Sequence, residues 1–274
     1  MEHALVLEAM GIGFTAQRTW WGWSLMVDER VEEQARLQLD LYQQEQNPPP
    51  GLPDGPALPR GVELGVFAYF TILLAVFYFQ GTHSFGIDWT AAGRVDVAAI
   101  LDGEYWRTIT ALTLHRDFWH LSGNLAFGVL FGVMLSRQLG SGLAWLAILL
   151  AGASGNGMNV LIQRPGHLSI GASTAVFAAL GLLATCSFLG GRLHRDNWAR
   201  RWAPIVGGLW LLTWLGTGDA QTDIVAHVTG FVAGLILGTA LSLVPVLRPD
   251  GAVMQWTAGL IAISAIAGCW ARAI

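Results

Sequence analysis

Three short polar stretches interrupt otherwise apolar surroundings: His120 to Asn124 (HLSGN), Gly171 to Thr174 (GAST), and Ala226-His227. A serine at its ordinary pKa is a weak nucleophile and needs an adjacent base. A histidine can take the serine proton during attack and hand it to the leaving amine. The tetrahedral intermediate carries an oxyanion that needs hydrogen-bond donors. Ser173 and His227 are therefore the candidate nucleophile and base. The side chains of His120 and Asn124, four residues apart on one helix face, and the Ser173 backbone N–H are the candidate oxyanion donors. Gly171 and Ala172 leave room for a substrate backbone beside the nucleophile. A triad would add a carboxylate, but no acidic residue falls inside these segments, and a carboxylate in lipid is expensive. The expectation is a Ser-His dyad, with the Phe177 ring packing on the imidazole to orient it.

Each residue alone has a plainer reading. A single serine in an apolar helix is usually a packing residue, and a lone asparagine serves as interhelical glue. A histidine at membrane depth is costly and points to function. The case rests on the joint arrangement.

The elements that must position these residues are membrane helices. Of 274 residues, 53% are hydrophobic and 12% charged, about half the charge of an ordinary soluble domain. The apolar residues come in blocks near 63–80, 119–137, 142–163, 171–189, 203–216, 224–246 and 252–271, most approaching the length that crosses a bilayer. Residues 1–47 are more polar and read either as a small soluble α+β region or as a loose helix pair with no activity of its own, with Asp28 capping a helix to about Glu45. The first residues lack the pattern of a signal peptide. Six prolines fall in the linker at 48–60. The insert at 81–118 is too polar to span and is expected to lie partly in the interface, with Tyr105, Trp106 and Arg107 at home there. Cys186 and Cys269 both lie in apolar segments, where a disulfide is not expected. All fifteen basic residues are arginine. None forms a cluster suited to nucleic acid.

Four arginines, Arg192, Arg195, Arg200 and Arg201, sit in the loop at 190–202, whereas the loop at 217–223 has two acidic residues and no basic one. The positive-inside rule then puts the first loop and the N-terminus in the cytoplasm. In that topology segments two, four and six all run from outside to inside, which brings His120, Asn124, Ser173 and His227 to a similar shallow depth in the outer leaflet. Water could reach that depth. Ala226, Gly230, Gly234 and Gly238 recur every fourth residue, a strip that allows close helix approach, while Ser173, Phe177 and Gly181 share a face of the fourth segment. Opposing these faces would bring His227 near Ser173.

Together, in this order and spacing, these residues resemble the rhomboid family of intramembrane serine proteases over about 61–246. The likeness includes Tyr105-Trp106-Arg107, His120 with Asn124, Gly171-Ala172-Ser173, and Ala226-His227 with Gly230 and Gly234. The resemblance implies an all-α polytopic fold with a six-helix core, the seventh helix at 252–271 being an addition seen in some members. It implies Ser173 as nucleophile, His227 as general base, and His120, Asn124 and the Ser173 amide as the oxyanion hole. It further implies cleavage of transmembrane protein substrates in or near their membrane segments, with a cleft opening to the outer face, and no cofactor or metal. A bacterial inner membrane is expected from the lysine-free composition and the likeness. Two positions depart from the family pattern. Phe177 stands where members often have tyrosine, which is expected to tune activity, and Thr174 stands where glycine is frequent, which is expected to narrow the site.

Competing functions are weaker. An inactive rhomboid-like protein that binds membrane clients would typically lack the serine or histidine. A transporter would show internal repeats or paired charges at mid-depth. The Gly216-Thr217-Gly218-Asp219 run has the look of an aspartyl intramembrane protease, but no partner aspartate accompanies it. There is no HExxH pair for zinc.

Overall fold

The computed structural model of the chain describes residues 2–20, 22–46, 61–189, 206–207, 222–243 and 251–274. The chain divides into two compact units, Met1–Ala57 and Leu58–Ile274.

The first unit has α+β content. It runs α1 (Glu2–Ala9), β1 (Phe14–Thr19), β2 (Gly22–Val27), a 3-10 turn (Glu29–Val31) and α2 (Glu32–Gln46). The strands form an antiparallel hairpin with Phe14 opposite Val27 and Thr19 opposite Gly22. Asp28 accepts a hydrogen bond from the Arg30 N–H, so the expected cap opens the 3-10 turn and α2 follows it. Leu7, Ile12 and Ala35 are buried at its centre, covered by Phe14, Leu25 and Leu39.

The second unit is a polytopic helical bundle. Among the described residues five helices are long and apolar enough to cross a membrane: α3 (Val62–Thr82), α7 (Phe118–Leu139), α8 (Ser141–Ile162), α10 (Ile224–Ser242) and α11 (Ala252–Ala273). The sixth, α9 (Ser173–Leu189), has 17 residues. Its face-to-face burial explains its composition. Val176 to Leu183 lie at the centre of the largest core cluster, with Phe131 and Leu135 of α7 and Ala144 to Ala151 of α8 around them. A helix apolar all round belongs in such a position. The expected segment 203–216 and the arginine loop at 190–202 lie outside the described residues, apart from 206–207.

The insert between α3 and α7 is more built than a set of interfacial pieces. It contains α4 (Trp89–Gly93), β3 (Val95–Asp96), α5 (Val97–Leu101), α6 (Arg107–Thr110) and a 3-10 turn (Ala111–Thr113). Val95, Val97, Ile100 and Ala111 bury their side chains together with Val160 of α8. β3 pairs antiparallel with β4 (Leu168–Ser169), just before the Ser173 turn. Arg107 ties the insert together. It bonds Glu104 at 2.6 Å and donates to the carbonyls of Ala91 and Arg94.

At the turn between α7 and α8, Gln255 of α11 donates to the Leu139 carbonyl at 2.9 Å and accepts from the Leu143 N–H at 3.0 Å. One side chain thereby satisfies groups that two helix ends leave open.

Candidate active site

The structure brings Ser173 and His227 together. The His227 Nε2 lies 2.9 Å from the Ser173 Oγ. Ser173 is the first residue of α9 and His227 sits in the first turn of α10. The two helices meet because the expected small-residue strip is in contact. A Cβ at Gly230 would strike the Thr174 carbonyl oxygen, one at Gly234 the Ala178 carbonyl, and one at Gly181 the Phe231 carbonyl. Only hydrogen fits at these three places. Helix backbones can approach this closely only where both faces are small.

The Phe177 ring stacks on the His227 imidazole, with centroids 4.5 Å apart and planes 24° from parallel. His227 is 6% exposed. Its Nδ1 has no hydrogen-bond partner among the described residues. The contact that orients the ring is therefore the aromatic face.

His120 and Asn124 share one face at the start of α7. Asp117 caps that helix by accepting from the His120 N–H at 2.8 Å, and hydrogen bonds from this N–H and from Arg116 hold its carboxyl below the usual range. The His120 Nδ1 accepts from the Arg116 N–H at 3.5 Å. A neutral imidazole accepting at Nδ1 carries its proton on Nε2, and Nε2 is the nitrogen aimed at the Gly171–Ser173 turn: a Cβ at Gly171 would lie 2.7 Å from it. Gly171 also has φ +135, a left-handed conformation that disfavours any side chain. The Asn124 amide donates to the His120 carbonyl at 3.0 Å, which leaves its second N–H for a ligand. The Ser173 N–H lies in the first turn of α9, where no helical carbonyl precedes it. These three donors and the Ser-His pair line one cleft of about 740 Å³.

Thr174 is one of the residues that line this cleft. Its Cγ2 lies in the slot between Gly155 of α8 and Gly230 of α10, so the added carbon fills a helix interface.

Sequence reasoning missed a polar cluster at one end of the cleft. Asp223 caps α10 by accepting from the Ala226 N–H at 3.0 Å, and its other oxygen bonds Asn159 Nδ2 at 2.8 Å and His167 Nε2 at 2.7 Å. Burial pushes this carboxyl up, but those hydrogen bonds outweigh it and hold the group below the usual range. Asp223 is one turn before His227, yet its oxygens are occupied by the cap and by α8 and the following loop, not by the imidazole. Asp223 stands one residue outside α10, so the apolar run itself contains no acid.

His115 lies beside the site. Its ring is fully buried and lies edge-on to His120 with centroids 5.2 Å apart. Burial holds it far below the ordinary value, at about 3. Its backbone is gripped in both directions by the Gln80 side chain. No group of three or more His, Cys, Asp or Glu suited to a metal occurs among the described residues.

Fold and cleft thus define a polytopic membrane protein with a serine and a histidine in hydrogen-bond contact. The chain belongs to the rhomboid family: the family model, described as "Rhomboid domain", matches residues 102–244. It is similar to RHOMBOID-like protein 1 of Arabidopsis thaliana, 28% identical over 53% of this chain and 37% of that protein. It is similar to Rhomboid-like protease 3 of Toxoplasma gondii, 30% identical over 53% of this chain and 55% of that one. Rhomboid protease GluP of Bacillus subtilis is 28% identical over 56% of this chain and 29% of its own length. The chain therefore spans about half the length of these relatives or less.

Proposed function

We propose that this chain is an intramembrane serine endopeptidase that cleaves transmembrane protein substrates by a Ser173–His227 dyad. The observation that carries the reading is the 2.9 Å contact between Ser173 Oγ and His227 Nε2 inside a cleft also lined by His120 and Asn124. The names of several relatives, Rhomboid-like protease 3 and Rhomboid protease GluP among them, support proteolysis as the activity.

In this mechanism His227 Nε2 takes the Ser173 proton as Oγ bonds to the scissile carbonyl carbon. The carbonyl oxygen becomes an oxyanion, held by His120 Nε2–H, the free Asn124 amide N–H and the Ser173 backbone N–H. His227 then gives its proton to the leaving amine, the C–N bond breaks, and an acyl-enzyme remains on Ser173. A water deprotonated by the same imidazole releases the acyl group. Gly171 leaves the space in which the substrate carbonyl meets His120.

The cleft opens to the outer face of a bacterial cell membrane in this proposal, with the N-terminal unit in the cytoplasm. Residues 1–47, 48–60, 61–246 and 252–271 are proposed as the N-terminal region, linker, protease core and additional helix. The test is reconstitution into liposomes with a panel of fluorescently tagged single-span reporter proteins. The expected result is a tagged fragment with wild type and none with Ser173→Ala or His227→Ala. Uncleaved reporters that nevertheless co-purify with the protein would shift the reading to a client-binding relative.

A further inference from the structure

The C-terminal helix α11 carries no motif that ties it to chemistry, yet one of its side chains supports the wall of the cleft. Trp270 is buried, and its indole N–H donates to Thr113 Oγ1 at 3.0 Å. The Thr113 hydroxyl in turn donates to the Thr110 carbonyl at 2.8 Å. The indole packs on Trp89, with centroids 4.8 Å apart, and fills the space beside Gly93, where a Cβ would strike it. Donor and acceptor are both shielded from water, so their pairing fixes where the Ala111–Thr113 turn sits.

That turn touches both sides of the proposed oxyanion hole. The Ala111 carbonyl accepts from the Gly171 N–H at 3.0 Å, which anchors the residue two before Ser173. Two residues after Thr113, the His115 ring lies against His120. The stretch from Ala111 to His115 is therefore a bar between the nucleophile turn and the His120 donor, and Trp270 holds it from behind.

We infer that Trp270 is a positioning residue for the oxyanion hole, acting through its hydrogen bond to Thr113 on Gly171 and His120. The inference rests on the serine-protease reading above. Trp270 touches none of the reacting groups. Gln255, near the other end of α11, is the internal comparison: its side chain bonds Leu139 and Leu143 at the α7–α8 turn and, among the described residues, makes no hydrogen bond to the Ala111–His115 stretch.

The test uses the full chain in detergent and a fluorophosphonate probe, with the labelling rate measured over a range of probe concentrations. Trp270→Phe keeps a ring and removes the N–H. Thr113→Val keeps the shape and removes the hydroxyl, and it carries the test alone if Trp270→Phe fails to fold. Each is expected to lower the maximal labelling rate by about tenfold to 100-fold, the size of a small misplacement of catalytic groups. The half-saturating probe concentration should be little changed, and the double variant should be no slower than the slower single. Gln255→Leu should lower Tm and leave the maximal rate unchanged. If Trp270→Phe and Thr113→Val label at the wild-type rate while Ser173→Ala is silent, the inference is overturned alone. Equal labelling of Ser173→Ala would overturn the protease reading, and the inference with it.

Discussion

A methyl placed along the α9–α10 contact should act as a ruler on the Ser173–His227 pair. Gly230 follows His227 by three residues, and its missing Cβ faces the carbonyl of Thr174, the residue after Ser173. A carbonyl inside a helix cannot step aside, so Gly230→Ala must separate the helices. Restoring ordinary contact requires on the order of 1 Å at that level, given packing this dense. The 2.9 Å hydrogen bond would then stretch beyond about 3.5 Å, where it ceases to be one. Overpacking of this kind costs about 1–3 kcal/mol of stability, and a misplacement of about 1 Å costs roughly 100-fold in rate. Gly238 is the graded control. Two turns further from the site, its Cβ would meet the Thr185 Cβ at 2.9 Å, a side chain and not a carbonyl. Fluorophosphonate labelling rates and thermal unfolding in detergent read both effects. Gly230→Ala should label about 100-fold slower, and Gly238→Ala within about threefold of wild type. Wild-type labelling by Gly230→Ala, or equal losses at both positions, would refute the link between this contact and the dyad.

Three further outcomes follow from individual side chains. Asp223→Ala removes the α10 cap and should lower stability by about 0.5–2 kcal/mol, seen as a Tm decrease of a few degrees, while Asp223→Asn keeps an acceptor and should lose less. His115 sits uncharged in the fold down to a pH of about 3, whereas a histidine in the unfolded chain takes its proton near 6.5. The unfolded state therefore binds the extra proton between those values, and stability falls as the pH drops from about 6.5 toward 3, with no contribution above pH 7. His115→Phe should flatten that part of the Tm-versus-pH curve, and an unchanged slope would contradict it. Phe177→Ala removes the stacking surface on His227 and should slow labelling about tenfold, whereas Phe177→Tyr should remain within a few fold of wild type.

The proposed site was legible in the sequence because its members are local exceptions. Ser173, His227, His120 and Asn124 are polar residues in apolar runs, and four-residue spacing places each relative to its helix face. The glycine strip made the α9–α10 approach legible for the same reason. The contacts that came only with the structure join residues far apart in the chain. Asp223 meets Asn159 and His167 across 64 and 56 positions, and Trp270 meets Thr113 across 157. No periodicity reports such pairings. The insert at 81–118 reads as partly interfacial because it is too polar to span; the small core that Val95, Val97, Ile100 and Ala111 form with Val160 has no signature in that composition. Where the Thr174 methyl goes depends on a side-chain direction that spacing does not supply: the residue lines the cleft, and its Cγ2 packs between Gly155 and Gly230. The segment at 203–216, apart from 206–207, and the arginine loop from which the expected topology is argued fall outside the described residues.

The central claim is that Ser173 is an activated nucleophile. Its most direct test is to incubate the purified protein with a fluorophosphonate, digest it, and locate the adduct by mass spectrometry. The account predicts one dominant phosphonylated peptide carrying the modification on Ser173, and its loss in His227→Ala although the serine is still present. An adduct on another residue, or an equal yield on Ser173 without His227, would contradict it.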